Sequence, residues 1–414
     1  MDGQTVSAGQ RDVAVWAKIG LLSFGGPAGQ IALMHRELVE TRAWIDEARF
    51  LHALNFCMLL PGPEAMQLAT YIGWLRGGWR GGMLAGGLFV LPGIVAIMAL
   101  SWVYVLAGDV GWIAGVFFGL KAAVIAIVAQ ALVRIGRKAL KTAGALAIAV
   151  AAFGALFVFG VPFPLVVLAA ALVGFLTAKG AAVAVAPARV STTRVALVWL
   201  ALWLGPVLTL VLVLGRDHVL AQVAVYFSQM AVLTFGGAYA VLAWVAQAAV
   251  EQFGWLTAPQ MLDGLAMAET TPGPLIMVTQ FVGFMAGWGA GGLALASAAA
   301  LVSVWATFAP CFLWIFAGAP HAERLRGNPA LAGALAAVTA AVVGVIANLA
   351  LWFAIHALFG QVVGGWPVWA TLDLWAAGLT ALALVAAFGL KAGPGALILG
   401  AALAGVALRL AGLA

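Results

Sequence analysis

Two stretches of this chain carry residue types that can hold a charged solute among apolar side chains: CMLLPGPEAM at 57–66 and AETTPGPLIM at 268–277. Each proline lacks an N–H and clashes with the carbonyl four residues back, and the glycine between them adopts conformations that other residues resist, so a helix must break there. The piece that restarts at Pro63 or Pro274 has proline in a favourable first-turn position and leaves free N–H groups at a positive dipole end. Two such ends converging at mid-membrane form an anion site without a full buried charge. The substrate-binding candidates from these stretches are Asn55, Pro61, Gly62, Pro63, Glu64 and Gln67, with Thr270, Thr271, Pro272, Gly273, Pro274 and Gln280. A second recurring pair, Ser-Phe-Gly-Gly at 23–26 and Thr-Phe-Gly-Gly at 234–237, adds Ser23 and Thr234 as hydroxyl donors and Gly25, Gly26, Gly236 and Gly237 as weak points for a kink or a close approach. Lys121, well inside an apolar segment, is a further candidate to hold an anion. Glu64 and Glu269 are ionisable groups at membrane depth and candidates to carry a coupling proton, with capping or ion pairing as the alternative for each.

The elements that position these residues follow from composition. The 414 residues are 65% hydrophobic and 8% charged, with a mean hydropathy of +1.11, which no water-soluble globule could bury. The apolar windows are near 20 residues long and lack strand alternation, so the fold class is an all-α integral membrane protein of about 12–13 transmembrane segments, multi-pass in the lipid bilayer. The net charge of +6 sits largely in short loops, where topology demands it, and does not point to nucleic acid. Cys57 and Cys311 read as packing residues, with no metal-ligand spacing. No cofactor motif, nucleophile elbow, phosphate loop or HExxH appears, so an enzyme is the least favoured reading. The mixed-charge start without a small-residue cleavage site argues against a signal peptide.

The chain is written twice. Ser23 to Gly26 match Thr234 to Gly237 at an offset of 211, and Trp44/Trp255 and the two Pro-Gly-Pro cores keep it. Gly73 and Gly81-Gly82 match Gly283 and Gly291-Gly292 at 210, and Pro92, Gly115 and Gln130 face Pro310, Gly333 and Asn348 at 218. This predicts membrane repeats over 1–185 and 219–414, joined by a linker and an extra transmembrane helix over 186–218. Spans are expected at 13–34, 50–76, 82–107, 111–134, 138–159 and 162–178, then 195–215, then 219–247, 260–288, 291–317, 331–358, 367–389 and 393–411. The odd helix inverts the second repeat, as does the swap of loop cations between Arg134, Arg137, Lys138 and Lys141 in one half and Arg324 and Arg326 in the other. On this scheme the Pro-Gly-Pro helices are broken but cross the bilayer, because one re-entrant segment per half would make the repeats parallel. The loop HRELVETRAWIDEAR at 35–49 then faces outward with three arginines offset by four acids, against the charge rule, and reads as an amphipathic interfacial helix.

The residues SFGGPAGQIALMHRELVETRAWIDEARF, LLPGPEAMQLATYIGW, TFGGAYAVL and AETTPGPLIMVTQFVGF resemble the chromate ion transporter family in its long, two-domain form, over essentially the whole chain. The resemblance implies a bacterial inner-membrane carrier that expels chromate and confers resistance, with sulfate as the near isostere. Its motif residues fall on Phe24, Gly25, Gly26, Pro61, Gly62, Pro63, Glu64 and Gln67, and on Phe235, Gly236, Gly237, Thr271, Pro272, Gly273 and Pro274. The alternative is a sulfate or other oxyanion transporter. A homodimer stays open.

Overall fold

The computed structural model describes residues 8–24, 26–108, 110–178, 192–235, 237–321 and 329–413. Among them are fifteen α-helices: α1 (Ala8–Leu21), α2 (Gly26–His35), α3 (Glu47–Cys57), α4 (Glu64–Ala107), α5 (Gly111–Ala139), α6 (Ala143–Phe157), α7 (Phe163–Thr177), α8 (Thr193–Leu214), α9 (Val219–Leu233), α10 (Ala238–Gln247), α11 (Ala258–Thr270), α12 (Val278–Gly318), α13 (Pro329–Leu358), α14 (Leu374–Phe388) and α15 (Pro394–Leu410). π-Turns extend α2 over Arg36–Thr41 and α10 over Ala248–Gln252, and a two-stranded ribbon, β1 (Val362–Val363) and β2 (Trp366–Pro367), follows α13. The protein is all-α in its membrane part, and each expected apolar segment contains a helix among the described residues. Five helical stretches, including α5, α8 and α13, are long and apolar enough to cross a membrane.

Four of the expected spans turn back on themselves. Phe56 on α3 and Tyr71 on α4 are 15 positions apart, about 22 Å along a continuous axis at 1.5 Å per residue. Their rings are 5.7 Å apart. In the second half a Cβ on Gly264 of α11 would lie 2.2 Å from the Phe281 ring of α12. Each Pro-Gly-Pro is therefore the tip of a helical hairpin, which corrects the expectation of broken helices that cross. The Phe-Gly-Gly segments do the same: Lys18 on α1 meets Glu37 at 2.7 Å, and Tyr226 on α9 meets Trp244 on α10 at 5.4 Å between rings. Two re-entrant segments per half restore the parity that one would break, so the inversion survives.

The long helices α4 and α12 are also folded, at Gly77-Gly78 and Gly291-Gly292, where Gly78 (φ +59°) and Gly292 (φ +79°) reverse the chain. Gly73 packs on Gly81 and Ala85 across the first bend, and Gly287 on Ala296 across the second. The bend glycines lie at an offset of 214, not the 210 read from sequence. A hairpin grows only by lengthening both arms, so the insertion is one extra turn on each side of the bend.

The inversion is visible in the packing. The second arms of α4 and α12 run antiparallel, with Gly82 on Phe316, Gly86 on Phe312, and the Trp102 indole donating to Ser297 Oγ at 3.1 Å. The last helices of each half cross to the other: a Cβ on Gly405 of α15 would sit 2.3 Å from Gly115 O of α5, and one on Gly174 of α7 would sit 2.2 Å from Gly333 O of α13. Close approach of small residues is how helices gain contact in lipid, where no hydrophobic drive brings them together.

Hairpin mouths now fix the faces. Arg76, at the end of the first arm of α4, pairs with Asp12 at 3.0 Å and stacks over Trp44 at 3.8 Å. The 35–49 loop therefore shares a face with the start of α1 and with the Arg134–Lys141 end of α5, and the charge rule makes that face cytoplasmic. Its misfit in the sequence reading came from counting the hairpins as crossings.

Candidate anion site at the hairpin tips

The four tips meet in two crossed pairs. Gly62 N donates to Thr234 O at 2.8 Å, and Gly273 N donates to Ser23 O at 2.9 Å. These bonds are equivalent under the repeat, so the Pro-Gly-Pro tip of each half is hung on the Phe-Gly-Gly tip of the other. Gly62 (φ +117°) and Gly273 (φ +106°) hold a left-handed conformation that side chains resist. Both are also crowded. A Cβ on Gly62 would be 2.8 Å from Gln67 Nε2 and 3.2 Å from Cys311 Sγ, and one on Gly273 would be 3.2 Å from Gly93 Cα.

Helix starts gather here: α2 at Gly26, α4 after Pro63, α10 after Gly237, and the 3₁₀ turn Leu275–Met277 that leads into α12 after Pro274. The first arms begin at the hairpin mouths with side-chain caps, Asp46 accepting from Arg49 N at 2.8 Å and Thr257 forming a capping box with Gln260. The starts at Pro63, Gly237 and Pro274 have no side-chain cap. Uncapped N–H groups and the positive ends of the peptide dipoles therefore converge at the tips, the arrangement that binds oxyanions.

Side chains pin the tips from behind. Gln67 Nε2 donates to Pro61 O at 2.7 Å, and Gln30 Nε2 donates to Gly273 O at 2.6 Å and Ser23 O at 3.3 Å. Gln280 Nε2 donates to Ile94 O at 2.9 Å on the neighbouring arm of α4. The Oε1 atoms of all three are buried without a hydrogen-bond partner. Gln30 was missed from sequence; its signal is a lone amide, seven positions after Ser23, in an apolar span.

The hydroxyl donors expected at Ser23 and Thr234 are engaged elsewhere: Ser23 Oγ donates to Ile19 O and Thr234 Oγ1 to Met230 O, each at 2.7 Å. It is their carbonyls that serve the site. Thr270 and Thr271 likewise donate to Met267 O and Ala268 O. Glu64 opens α4, half-buried, with Oε1 3.7 Å from where a Cβ on Gly237 would lie, and no donor from another described residue reaches its carboxylate. Glu269 is buried and accepts a 2.5 Å hydrogen bond from Tyr239, a residue that sequence reasoning missed. Asn55 is exposed on α3, six residues before Pro61. Lys121 also lies apart, its Nζ 3.7 Å from Asp263 Oδ1. Gly25 and Gly236 fall outside the described residues.

The Chromate transporter family profile matches residues 13–175 and 221–406, one region in each half. The chain belongs to the chromate transporter family. It is 37% identical over 340 residues to a chromate transport protein of Pseudomonas aeruginosa, covering 80% of this chain and 78% of that one. It is 31% identical over 337 residues to a chromate transport protein of Cupriavidus metallidurans, covering 81% and 80%. A probable chromate transport protein of Synechococcus elongatus is 32% identical over 334 residues, covering 80% and 81%. No solved structure matches the chain. Membership makes this a multi-pass inner-membrane transport protein, consistent with its apolar helices.

Proposed function

We propose that this transporter exports chromate from the cytoplasm, conferring resistance, by alternating access at the crossed hairpin tips. The observation that carries the reading is the reciprocal pair of bonds from Gly62 to Thr234 and from Gly273 to Ser23. Each tip is anchored to the opposite half, so a movement of one half against the other must rearrange both tips together. A tetrahedral dianion fits a cradle of backbone amides and helix dipoles, which supplies positive potential without a buried cation. Such donors separate chromate from sulfate only by size, so sulfate is the expected competitor. Glu64 is the residue placed to carry a coupling proton, because an ionised carboxylate beside the cradle repels the dianion and a protonated one does not. Glu269, occupied by Tyr239, is the lesser candidate.

Export of two negative charges from a negative interior is favoured by roughly 4.6 kcal/mol per 100 mV. In inside-out vesicles, chromate uptake should rise when the lumen is made positive and fall when sulfate is added outside. Uptake indifferent to the imposed potential contradicts electrogenic export, and uptake equal to that of vesicles lacking the protein removes the transport reading itself.

A further inference from the structure

A second charged cluster stands back from the Pro272 tip, with Asp263 seven residues before Thr270 at the end of α11, about 10 Å along the axis at 1.5 Å each. Asp263 is 5% exposed on the first arm of that hairpin. Its Oδ2 accepts from the Tyr104 hydroxyl of α4 at 2.9 Å, while Oδ1 is buried without a hydrogen bond and faces Lys121 Nζ of α5 at 3.7 Å. That separation is an ion pair too long for a hydrogen bond. On its other side Lys121 lines a cavity of about 410 Å³, with His356 of α13, Thr371, and Ala376 and Thr380 of α14. Asp373, also on the wall, is exposed, and its Oδ1 accepts from Trp375 N and Ala376 N at 2.9 Å. The cavity lies toward the face opposite the cytoplasmic one, at the ends of α13 and the start of α14. The symmetry-related place has no equivalent, because His52 and Thr339 stand at the repeat positions of Asp263 and Lys121.

We propose that this cavity is a second oxyanion subsite on the non-cytoplasmic side, in which the Lys121 ammonium passes from Asp263 to a tetrahedral dianion. The inference rests on the export reading and extends it to the release step. Lys121 is held loosely by a carboxylate whose Oδ1 has no other partner, and it borders a space that accommodates an ion of this size. When the dianion takes the ammonium, Asp263 is left with Tyr104 alone, and the tie between the second-half hairpin and α5 loosens. One side chain thus couples occupancy of the exit cavity to the hold on a Pro-Gly-Pro tip. Because His52 and Thr339 replace it at the symmetry-related place, this coupling exists at one face only.

The test uses the full-length protein in right-side-out vesicles carrying Ala376→Cys, since Cys57 and Cys311 are both buried. A cationic, membrane-impermeant methanethiosulfonate reagent labels the introduced thiol from outside, and sulfate is the probe anion because chromate oxidises thiols. Sulfate at four times its dissociation constant should slow labelling about fivefold. Protection should persist with Lys121→Arg and vanish with Lys121→Thr/Asp263→His, the residue types that stand at the two repeat positions. A thiol that is not labelled, labelling that sulfate does not slow, or protection that survives the double substitution overturns the proposal. Chromate uptake by inside-out vesicles of the same protein separates the two readings: uptake without sulfate protection sinks the subsite alone, whereas absent uptake sinks the export reading.

Discussion

At the tip of the first half the carboxylate, Glu64, begins a helix beside Gly237 and has no donor from another described residue, whereas at the tip of the second half the carboxylate, Glu269, ends a helix and is bound by Tyr239. The backbones around them are near copies: crossed amide bonds of 2.8 and 2.9 Å, and tip glycines at φ +117° and +106°. The mouths of the hairpins diverge in the same way. Lys18, Glu37 and Arg42 form an ionic clasp in the first half, where the second has a packed ring cluster of Tyr226, Phe227, Phe253 and Trp255, with Phe253 and Trp255 stacked at 4.3 Å. The inverted repeat thus fixes the cradle, and the side chains that differ between the halves give the two faces different chemistry. A symmetric cradle admits an ion from either side; the asymmetric groups set how tightly each face holds it, while the membrane potential sets the direction of net flux.

The sharpest way to break this comparison is to strike its symmetric part. Gly62→Ala and Gly273→Ala each force a Cβ into the left-handed region and into contact, at a cost of about 1–3 kcal/mol. Because each tip is bonded to the opposite half, either change should lower chromate export by at least about tenfold, with membrane insertion intact. Vesicle uptake alongside quantified protein checks this. Loss from one substitution only would show that the tips do not act as a pair.

The asymmetric carboxylates come next. Glu64→Gln should flatten the pH dependence of uptake while sulfate still competes, because it fixes the neutral form beside the cradle. Glu269→Gln keeps an acceptor for Tyr239 and should change uptake by no more than about threefold, given a net worth of roughly 0.5–1.5 kcal/mol for such a bond. Equal effects would mean that the two carboxylates play the same part. A change smaller than that of the tip glycines is expected for Gln30→Leu, which removes the 2.6 Å bond to Gly273 O and the 3.3 Å bond to Ser23 O in one crossed pair only. Its repeat position in the second half is Val241. The apparent affinity for chromate should weaken by about five- to tenfold, since one buried carbonyl loses its donor, and competition titration reads it.

Much of this arrangement is legible in the sequence, for physical reasons that also mark its limits. Proline and glycine act locally, so the breaks at Pro61–Pro63 and Pro272–Pro274 could be placed to the residue, and self-similarity at 211 found their partners. Whether a broken helix continues or returns is decided by partners far along the chain, such as Phe56 on Tyr71 or Arg76 on Asp12, which no local pattern encodes. The parity argument went astray for that reason: it weighed one re-entrant segment per half where there are two. Ser23 and Thr234 were recognised by their hydroxyls yet contribute carbonyls, because a hydroxyl in an apolar helix donates to its own preceding turn. Tyr239 and Gln30 carry no motif at all, and only the fold shows what they touch.

The two mouths offer the mildest test, one that reads stability instead of transport. Glu37 is nearly buried, and its carboxyl is held below the ordinary carboxylate range, first by the hydrogen bond from Lys18 and then by Arg42. A group whose pKa is lower in the folded state stabilises above its unfolded value, near 4.3, and loses that contribution as pH falls through its folded value. Lys18 is about half exposed, so solvent screening holds the effect to about 1 kcal/mol or less. The thermal midpoint of the wild type should therefore drop between pH 5 and 3 by more than that of Glu37→Gln, and added salt should narrow the gap. Phe253→Leu, at the other mouth, removes ring stacking that has no titrating partner, so its destabilisation should be the same across that range and at both ionic strengths. If the two variants respond alike to acid and salt, the ionic clasp does no more than pack, and the chemical distinction between the faces retreats to the tips.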